Sequence, residues 1–260
     1  MKCGLQFLDP IPDKKTLDEI YSNYYKAWDI DSSEKEVSRM KSKTFSGYLG
    51  KIATYHSSGT LLDIGCATGE LLQVAQGMGF DVYGVEISPD GIRRCRETFG
   101  ENKIIGANIK VGDFPCEFFD IITLSDVIEH VHEPTVFLDT LCSLLKPDGL
   151  LMIVTPDTSS WTRKIMKKRW LHYKEEHLYY YSRANIVKLF DPHLKIIMSG
   201  NAYKTLTIEY FLNILKAYSE YSVFLRILYL CKLLPSWLRL YSFKLYIGEM
   251  FILCRKNQNS

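Results

Sequence analysis

Between residues 60 and 155, short apolar runs alternate with stretches of helical periodicity, and that alternation decides what the chain can fold into. LLDI (61–64), VYGV (82–85), DIITL (120–124) and LLMIVT (150–155) are too short for helices and rich in branched residues. Runs of this kind, separated by helical segments, build βαβ units: a parallel sheet with helices on both faces. The pattern predicts strands over 60–64, 81–86, 109–112, 119–124 and 149–155, with helices over 69–78, 89–98 and 134–146 between them. Ser88 before Pro89 reads as an N-cap with a first-turn proline, and Pro134 opens a later helix. Pro147-Asp148-Gly149 is a turn into the fifth strand.

The flanks read differently. Residues 16–27 and 34–55 are expected to be helices; in the second, Val37, Met40, Phe45, Tyr48, Leu49 and Ile52 share a face. Beyond 156 the text becomes rich in Trp, Tyr, His, Lys and Arg. A helix over 183–190, a strand over 194–199, a basic apolar helical stretch over 205–240 and a last strand over 244–254 follow. The domain reading is an N-terminal helical extension 1–55, a core 56–200, a helical cap 201–243 and a final strand and tail 244–260.

Charge is divided along the chain. Residues 1–161 hold 15 Lys/Arg against 24 Asp/Glu, whereas residues 162–246 hold 15 against 5. The basic part is expected to meet something anionic, or to be a solvated face. Seven cysteines, mostly in apolar segments, indicate small hydrophobes in a reducing compartment, not a disulfide framework. The opening MKCGLQFLDP has no apolar core of a signal peptide, and no stretch of eighteen uncharged apolar residues exists, so the expected location is cytoplasmic.

The chemistry should sit at the carboxyl ends of the strands. There LLDIGCATGE (61–70) carries Gly65, Cys66, Ala67 and Gly69, where side chains are nearly absent. A dinucleotide turn wants G-x-G-x-x-G, but the matching positions hold Gly65, Ala67 and Glu70. Asp63 and Glu70 would repel a pyrophosphate and suit a cationic ligand. Cys66 reads as a spacer, since nothing cationic lies near it in sequence to lower its pKa.

D-x-G-x-x-x-G after a first strand resembles motif I of the class I S-adenosylmethionine-dependent methyltransferases. VYGVEIS, VGDF, FFDIITLSDVIEHVHEP and LKPDGLLMIVTPD resemble the motifs that follow, in order. The resemblance covers roughly residues 56–200 and implies a Rossmann-like α/β fold. Its sheet would have seven strands, mostly parallel, with the last antiparallel. It implies S-adenosylmethionine as cofactor, held at the turn by Asp63, Gly65, Cys66, Ala67 and Gly69. Glu86 would take the ribose hydroxyls with Ile87 beside it, Asp113 and Phe114 would contact adenine, and Ser125 would close the shell. The absence of an Asn-Pro-Pro-Tyr tetrad at 124–127 argues against exocyclic amino groups of DNA bases, so no DNA is expected.

Glu129-His130 resembles the pair in methyltransferases acting on quinone precursors, and EHLYYYS (176–182) resembles a later segment of that subfamily. His130 and His177 are therefore the catalytic candidates, and the His130/His132 alternation is not read as a metal site. Cys3-Gly4-Leu5, Phe7, Pro10 and Pro12 resemble the end of a zinc ribbon whose other cysteines are absent, so no zinc is expected. The acceptor is expected to be small, or linked to a lipid or nucleotide and anionic, methylated on oxygen in surface-glycan, glycolipid or natural-product synthesis. The stretch 205–240 would give peripheral membrane contact. The alternatives are an RNA methyltransferase, or a scaffold that binds the cofactor without turnover.

Overall fold

The structure is a computed structural model that describes residues 4–12, 16, 34–190, 192–217 and 234–257. The alternating segment folds as β2 (Gly59–Ile64), α2 (Glu70–Gly77), β3 (Phe80–Val85), α3 (Pro89–Phe99), β4 (Ile104–Ile105), β5 (Phe119–Ser125), α4 (Pro134–Leu144) and β6 (Leu145–Pro156). Before it come β1 (Gln6–Phe7) and α1 (Glu34–Ile52). After it come α5 (Trp161–Met166), β7 (Tyr179–Tyr180), α6 (Arg183–Ile186), β8 (Leu194–Thr207), α7 (Ile208–Ala217), α8 (Ser236–Arg239) and β9 (Ser242–Lys256).

Seven strands form one sheet in the order β4-β3-β2-β5-β6-β9-β8. β2, β3, β4, β5 and β6 pair in parallel, and β9 runs antiparallel to both neighbours, as expected. Because side chains alternate, Leu61, Ile121 and Phe251 enter the core under α1 and α2, while Leu62, Ile122 and Ile252 enter the one under α4 and α6. Both faces are buried, which is why the central strands are apolar throughout. Ser88 Oγ accepts from Gly91 N at 3.0 Å, so the expected N-cap forms.

Several expectations are corrected. No strand forms over 109–112. The third strand is the two residues Ile104–Ile105, paired with Gly84 and Val85. Beyond it Gly112 takes a positive φ of 97° and Val111 is exposed, so that stretch has no apolar face to bury. β6 begins at Leu145, which pairs with Phe119, so α4 stops earlier than expected. The helix expected over 183–190 is one α turn followed by a 3-10 turn at Val187–Leu189. β8 and β9 outrun their sequence signals because each pairs along nearly its whole length with the other. β8 is unbroken through residue 200, so the boundary drawn there between core and cap falls inside a strand.

Of the stretch 205–240, the first three residues belong to β8 and α7 is helical as expected, while 218–233 lie outside the described residues, as does nearly all of the helix expected over 16–27. α1 lies over α2 and β8, tied by Thr205 N donating to Thr44 Oγ1 at 2.8 Å and Tyr48 OH donating to Tyr203 O at 3.1 Å. β1 and β7 make a separate two-stranded sheet.

Candidate active site

The turn after β2 folds back on the neighbouring strand. Gly65 N and Cys66 N both donate to Val85 O, at 2.8 and 3.1 Å, and Gly69 N donates to Cys66 O at 2.8 Å. Gly65 and Gly69 sit at φ 73° and 85°, where a side chain is strained. A Cβ on Gly65 would lie 2.8 Å from Val127, and one on Gly69 2.8 Å from the Phe99 ring. Backbone conformation and packing therefore already demand bare positions here, before any ligand is considered.

Three acids surround this turn. Asp63 is 4 % exposed and accepts from Thr123 Oγ1 at 2.6 Å. Burial pushes its carboxyl up to about 7, against the lowering effect of the Thr123 hydrogen bond and with help from Glu86 and Glu70. Glu70 opens α2, accepts from Thr68 Oγ1 at 2.8 Å and lies 3.6 Å from Lys41 Nζ. Glu86 holds the turn and the start of α3 together: Oε2 accepts from Ala67 N at 2.7 Å, and Oε1 from Ile87 N at 2.8 Å and Ser88 N at 2.7 Å. With three amides on it, Glu86 is first a brace, and it has less free capacity for two ribose hydroxyls than the sequence implies.

The other expected cofactor residues divide. Cys66 Sγ lies 3.8 Å from Cys95 Sγ, and that contact and burial drive its thiol pKa far up, so it is a spacer. Ile87 is 49 % exposed beside Glu86. Ser125 ends β5, half-buried, paired with Val154. Phe114 packs edge-on to Tyr83 and Phe119 at 5.8 and 4.9 Å. Asp113 is exposed and closes its own turn by accepting from Lys110 N at 2.7 Å; no hydrogen bond among the described residues joins it to the glycine turn.

Beyond β5 a 3-10 turn, Ile128–His130, carries the catalytic candidates. His130 and His177 meet edge to face with centroids 4.8 Å apart. His130 Nδ1 lies 2.9 Å from Glu176 O. A carbonyl only accepts, so Nδ1 carries the hydrogen and Nε2 the lone pair. Burial lowers the pKa of His130. Burial and then His130 lower that of His177 much further, and its Nδ1 has no partner. Glu129 accepts from Thr155 Oγ1 at 2.9 Å; burial, then Asp126, raises its carboxyl to about 8. Glu129, His130 and His177 each bring one ligand atom within 4.8 Å of the others, near enough to reach a common cation; His132 is not in that group.

Residues 38–192 match the family described as a methyltransferase domain, more than half of the chain. The chain belongs to the methyltransferase domain family. The ubiquinone biosynthesis O-methyltransferase of Glaesserella parasuis is 38% identical over 104 residues, covering 36% of this chain and 44% of that protein. Its counterpart in Actinobacillus pleuropneumoniae is 27% identical over 152 residues, 55% of this chain and 64% of that protein. The chain thus spans about half the length of the curated relatives it matches. A solved S-adenosylmethionine-dependent methyltransferase from Archaeoglobus fulgidus superposes with a TM-score of 0.55 at 18% identity, over 83% of this chain and 94% of that one, which shows the fold.

S-adenosylmethionine is the cofactor of this family, and the site fits it. Its sulfonium and amine are cations, and a buried carboxyl held near neutrality with two further acids beside it suits a cation. The sequence reading missed Asp126, Lys204 and Glu249, which meet beyond Ser125. The available signal was a lone acid in the apolar run IGEMFILC.

Proposed function

We propose that the chain transfers the methyl group of S-adenosylmethionine to a hydroxyl of a small or lipid-linked acceptor. The observation that carries this reading is the His130–His177 pair at the carboxyl edge of the sheet, rings edge to face at 4.8 Å, with the His130 Nδ1 hydrogen donated to Glu176 O, which sets the tautomer that can take up a proton at Nε2. The cofactor supplies an electrophilic methyl. The protein then has to orient the hydroxyl and receive its proton, and His130 Nε2 is the group for that. His177, whose protonated form is far more disfavoured, holds the His130 ring edge-on.

The names of the curated relatives favour a quinone-precursor type of acceptor over the glycan or nucleotide-linked sugar expected from the sequence. A lipid-bearing acceptor is supported by the surface nearby. Trp161 and Ile165 are 58 % and 70 % exposed, in a segment with Lys164, Lys167, Lys168 and Arg169. No helix among the described residues is long and apolar enough to cross a membrane.

The test is methyl transfer from tritiated cofactor into a cell extract, separated into small-molecule, lipid and RNA fractions. Alkali-stable label in the first two fractions is expected. Label confined to RNA would favour the RNA-methyltransferase alternative, and no label despite cofactor binding would favour the scaffold.

A further inference from the structure

One face of α3 is built against the cofactor turn. Gly91, Cys95 and Phe99 recur at every fourth residue, so they stack along one side of the helix. A Cβ on Gly91 would lie 2.6 Å from Ala67 O, so the helix backbone reaches the turn there. Phe99 lies against Gly69, where a Cβ would be 2.8 Å from its ring. Between these contacts sits Cys95, wholly buried, its Sγ 3.8 Å from the Sγ of Cys66 in the turn. Both cysteines are free thiols.

The two thiols form a short relay. Cys95 Sγ donates to Ala67 O at 3.4 Å. A thiol has a single hydrogen, so between the two sulfurs Cys66 is the donor and Cys95 the acceptor. That hydrogen bond holds the Cys95 thiol below its ordinary pKa, against burial and the charges of Glu86, Asp63 and Glu70. Cys95 is thus the better nucleophile, and Cys66 stands beside it still carrying its hydrogen. Glycines back both sulfurs: a Cβ on Gly84 would be 2.8 Å from Cys66 Sγ, and one on Gly69 3.1 Å from Cys95 Sγ. Sulfurs packed this closely favour a bond to each other over an adduct with a bulky outside thiol.

We propose that Cys66 and Cys95 are a redox-sensitive pair: a peroxide joins them as a disulfide, and that bond pulls the cofactor turn out of its binding geometry. The Cys95 thiolate attacks one peroxide oxygen. The O–O bond breaks, Cys95 becomes a sulfenic acid, and the other oxygen leaves as hydroxide, which takes up the proton lost by the thiol. Cys66 sulfur then attacks Cys95 sulfur. The S–S bond forms, the S–O bond breaks, and hydroxide leaves with the Cys66 proton as a second water. Two thiols are oxidised and one peroxide is reduced to two waters.

The turn has little freedom to absorb this step. A disulfide brings the sulfurs from 3.8 Å to about 2.05 Å, a closure of about 1.8 Å. Ala67 N is tied to Glu86 Oε2 at 2.7 Å, Ala67 O is backed by Gly91, and oxidation removes the hydrogen that Cys95 gives to that carbonyl. Constellations that bind well are held to within about 0.5 Å, less than the closure demands.

The experiment uses the full chain with its exposed thiol replaced, Cys116→Ser, to limit crosslinks between molecules. The protein is treated with hydrogen peroxide, remaining thiols are alkylated, and the bond is mapped by tandem mass spectrometry. S-adenosylhomocysteine affinity is measured by calorimetry before treatment, after it, and after dithiothreitol. The expected result is a Cys66–Cys95 link, an affinity lowered by about tenfold or more, and recovery on reduction. Linkage supplies a second readout that needs no variant at the pair. A ligand that binds the reduced form tenfold better must raise the reduction potential of the pair by about 30 mV at saturation, measured in dithiothreitol redox buffers with and without S-adenosylhomocysteine. Cys95→Ala, compared with its own untreated state, should keep its affinity through peroxide. Recovery of Cys66 and Cys95 as thiols, or joined to other cysteines, would overturn the proposal. So would a Cys66–Cys95 bond that leaves affinity and potential unchanged, or an equal loss of affinity in Cys95→Ala. A reduced chain that binds no S-adenosylhomocysteine would overturn it together with the cofactor assignment.

Discussion

Replacing Asp63 by Asn should stabilise the protein at pH 8 and gain little or nothing at pH 5. Asp63 is buried at the end of β2 and its carboxyl is pushed from an ordinary 3.8 to about 7. The folded value lies above the unfolded one, so the folded chain holds this proton longer. Stability is therefore unaffected below the unfolded value, falls as pH rises between the two, and bears the whole penalty above the folded one. At ~1.4 kcal/mol per unit, the penalty is about 1.5 kcal/mol at pH 5 and about 4 kcal/mol at pH 8. Asn keeps an oxygen to accept from Thr123 Oγ1 and removes the titration. Its surplus amide hydrogens carry a fixed cost of about 1–3 kcal/mol that does not change with pH. The difference between variant and wild type should thus move by about 2.5 kcal/mol in favour of Asn from pH 5 to pH 8. Urea unfolding followed by circular dichroism at both pH values measures it. A difference that stays constant between pH 5 and pH 8 would refute the reasoning, because Asp63 would then titrate alike in both states.

Two other perturbations follow from the same turn. Glu86→Gln replaces a carboxylate that accepts from three amides with a group offering one acceptor oxygen; it should lower stability by about 2 kcal/mol and weaken S-adenosylhomocysteine binding at least tenfold, read by urea unfolding and calorimetry. Gly69→Ala meets both a positive φ of 85° and the Phe99 ring, and should cost about 1–3 kcal/mol with weaker cofactor binding. Gly47→Ala, on the exposed side of α1 with nothing within 4 Å, should instead raise stability by about 0.5–1 kcal/mol in the same assay.

The sequence made the sheet legible wherever a strand is buried on both faces and says so in a continuous apolar run, as at Leu61-Leu62 and Ile121-Ile122. It misled where pairing alone makes the strand. Ile104–Ile105 is too short to register, and a nearby Ile-Lys-Val drew the prediction to residues that sit in a loop. Ser199, Gly200 and Asn201 look like the end of a strand, yet β9 pairs through them. The glycine turn was legible from Asp63 to Glu70, but its brace was not: nothing in VEIS tells that Glu86 would take three amides. Lys204 and Glu249 lie 45 positions apart and in separate strands, so only the β8–β9 register brings them together.

The central claim is that an acidic crevice after β2 holds a cation. Calorimetry of S-adenosylmethionine and of neutral adenosine, each at pH 6 and pH 8, tests it most directly. A cation favours the ionised form of Asp63, which is only about a tenth populated at pH 6 for a group of pKa near 7. S-adenosylmethionine should therefore bind about tenfold more tightly at pH 8, with proton release, while adenosine should bind weakly and alike at both. Failure of S-adenosylmethionine to bind, or an affinity no greater than that of adenosine and flat in pH, would contradict the account.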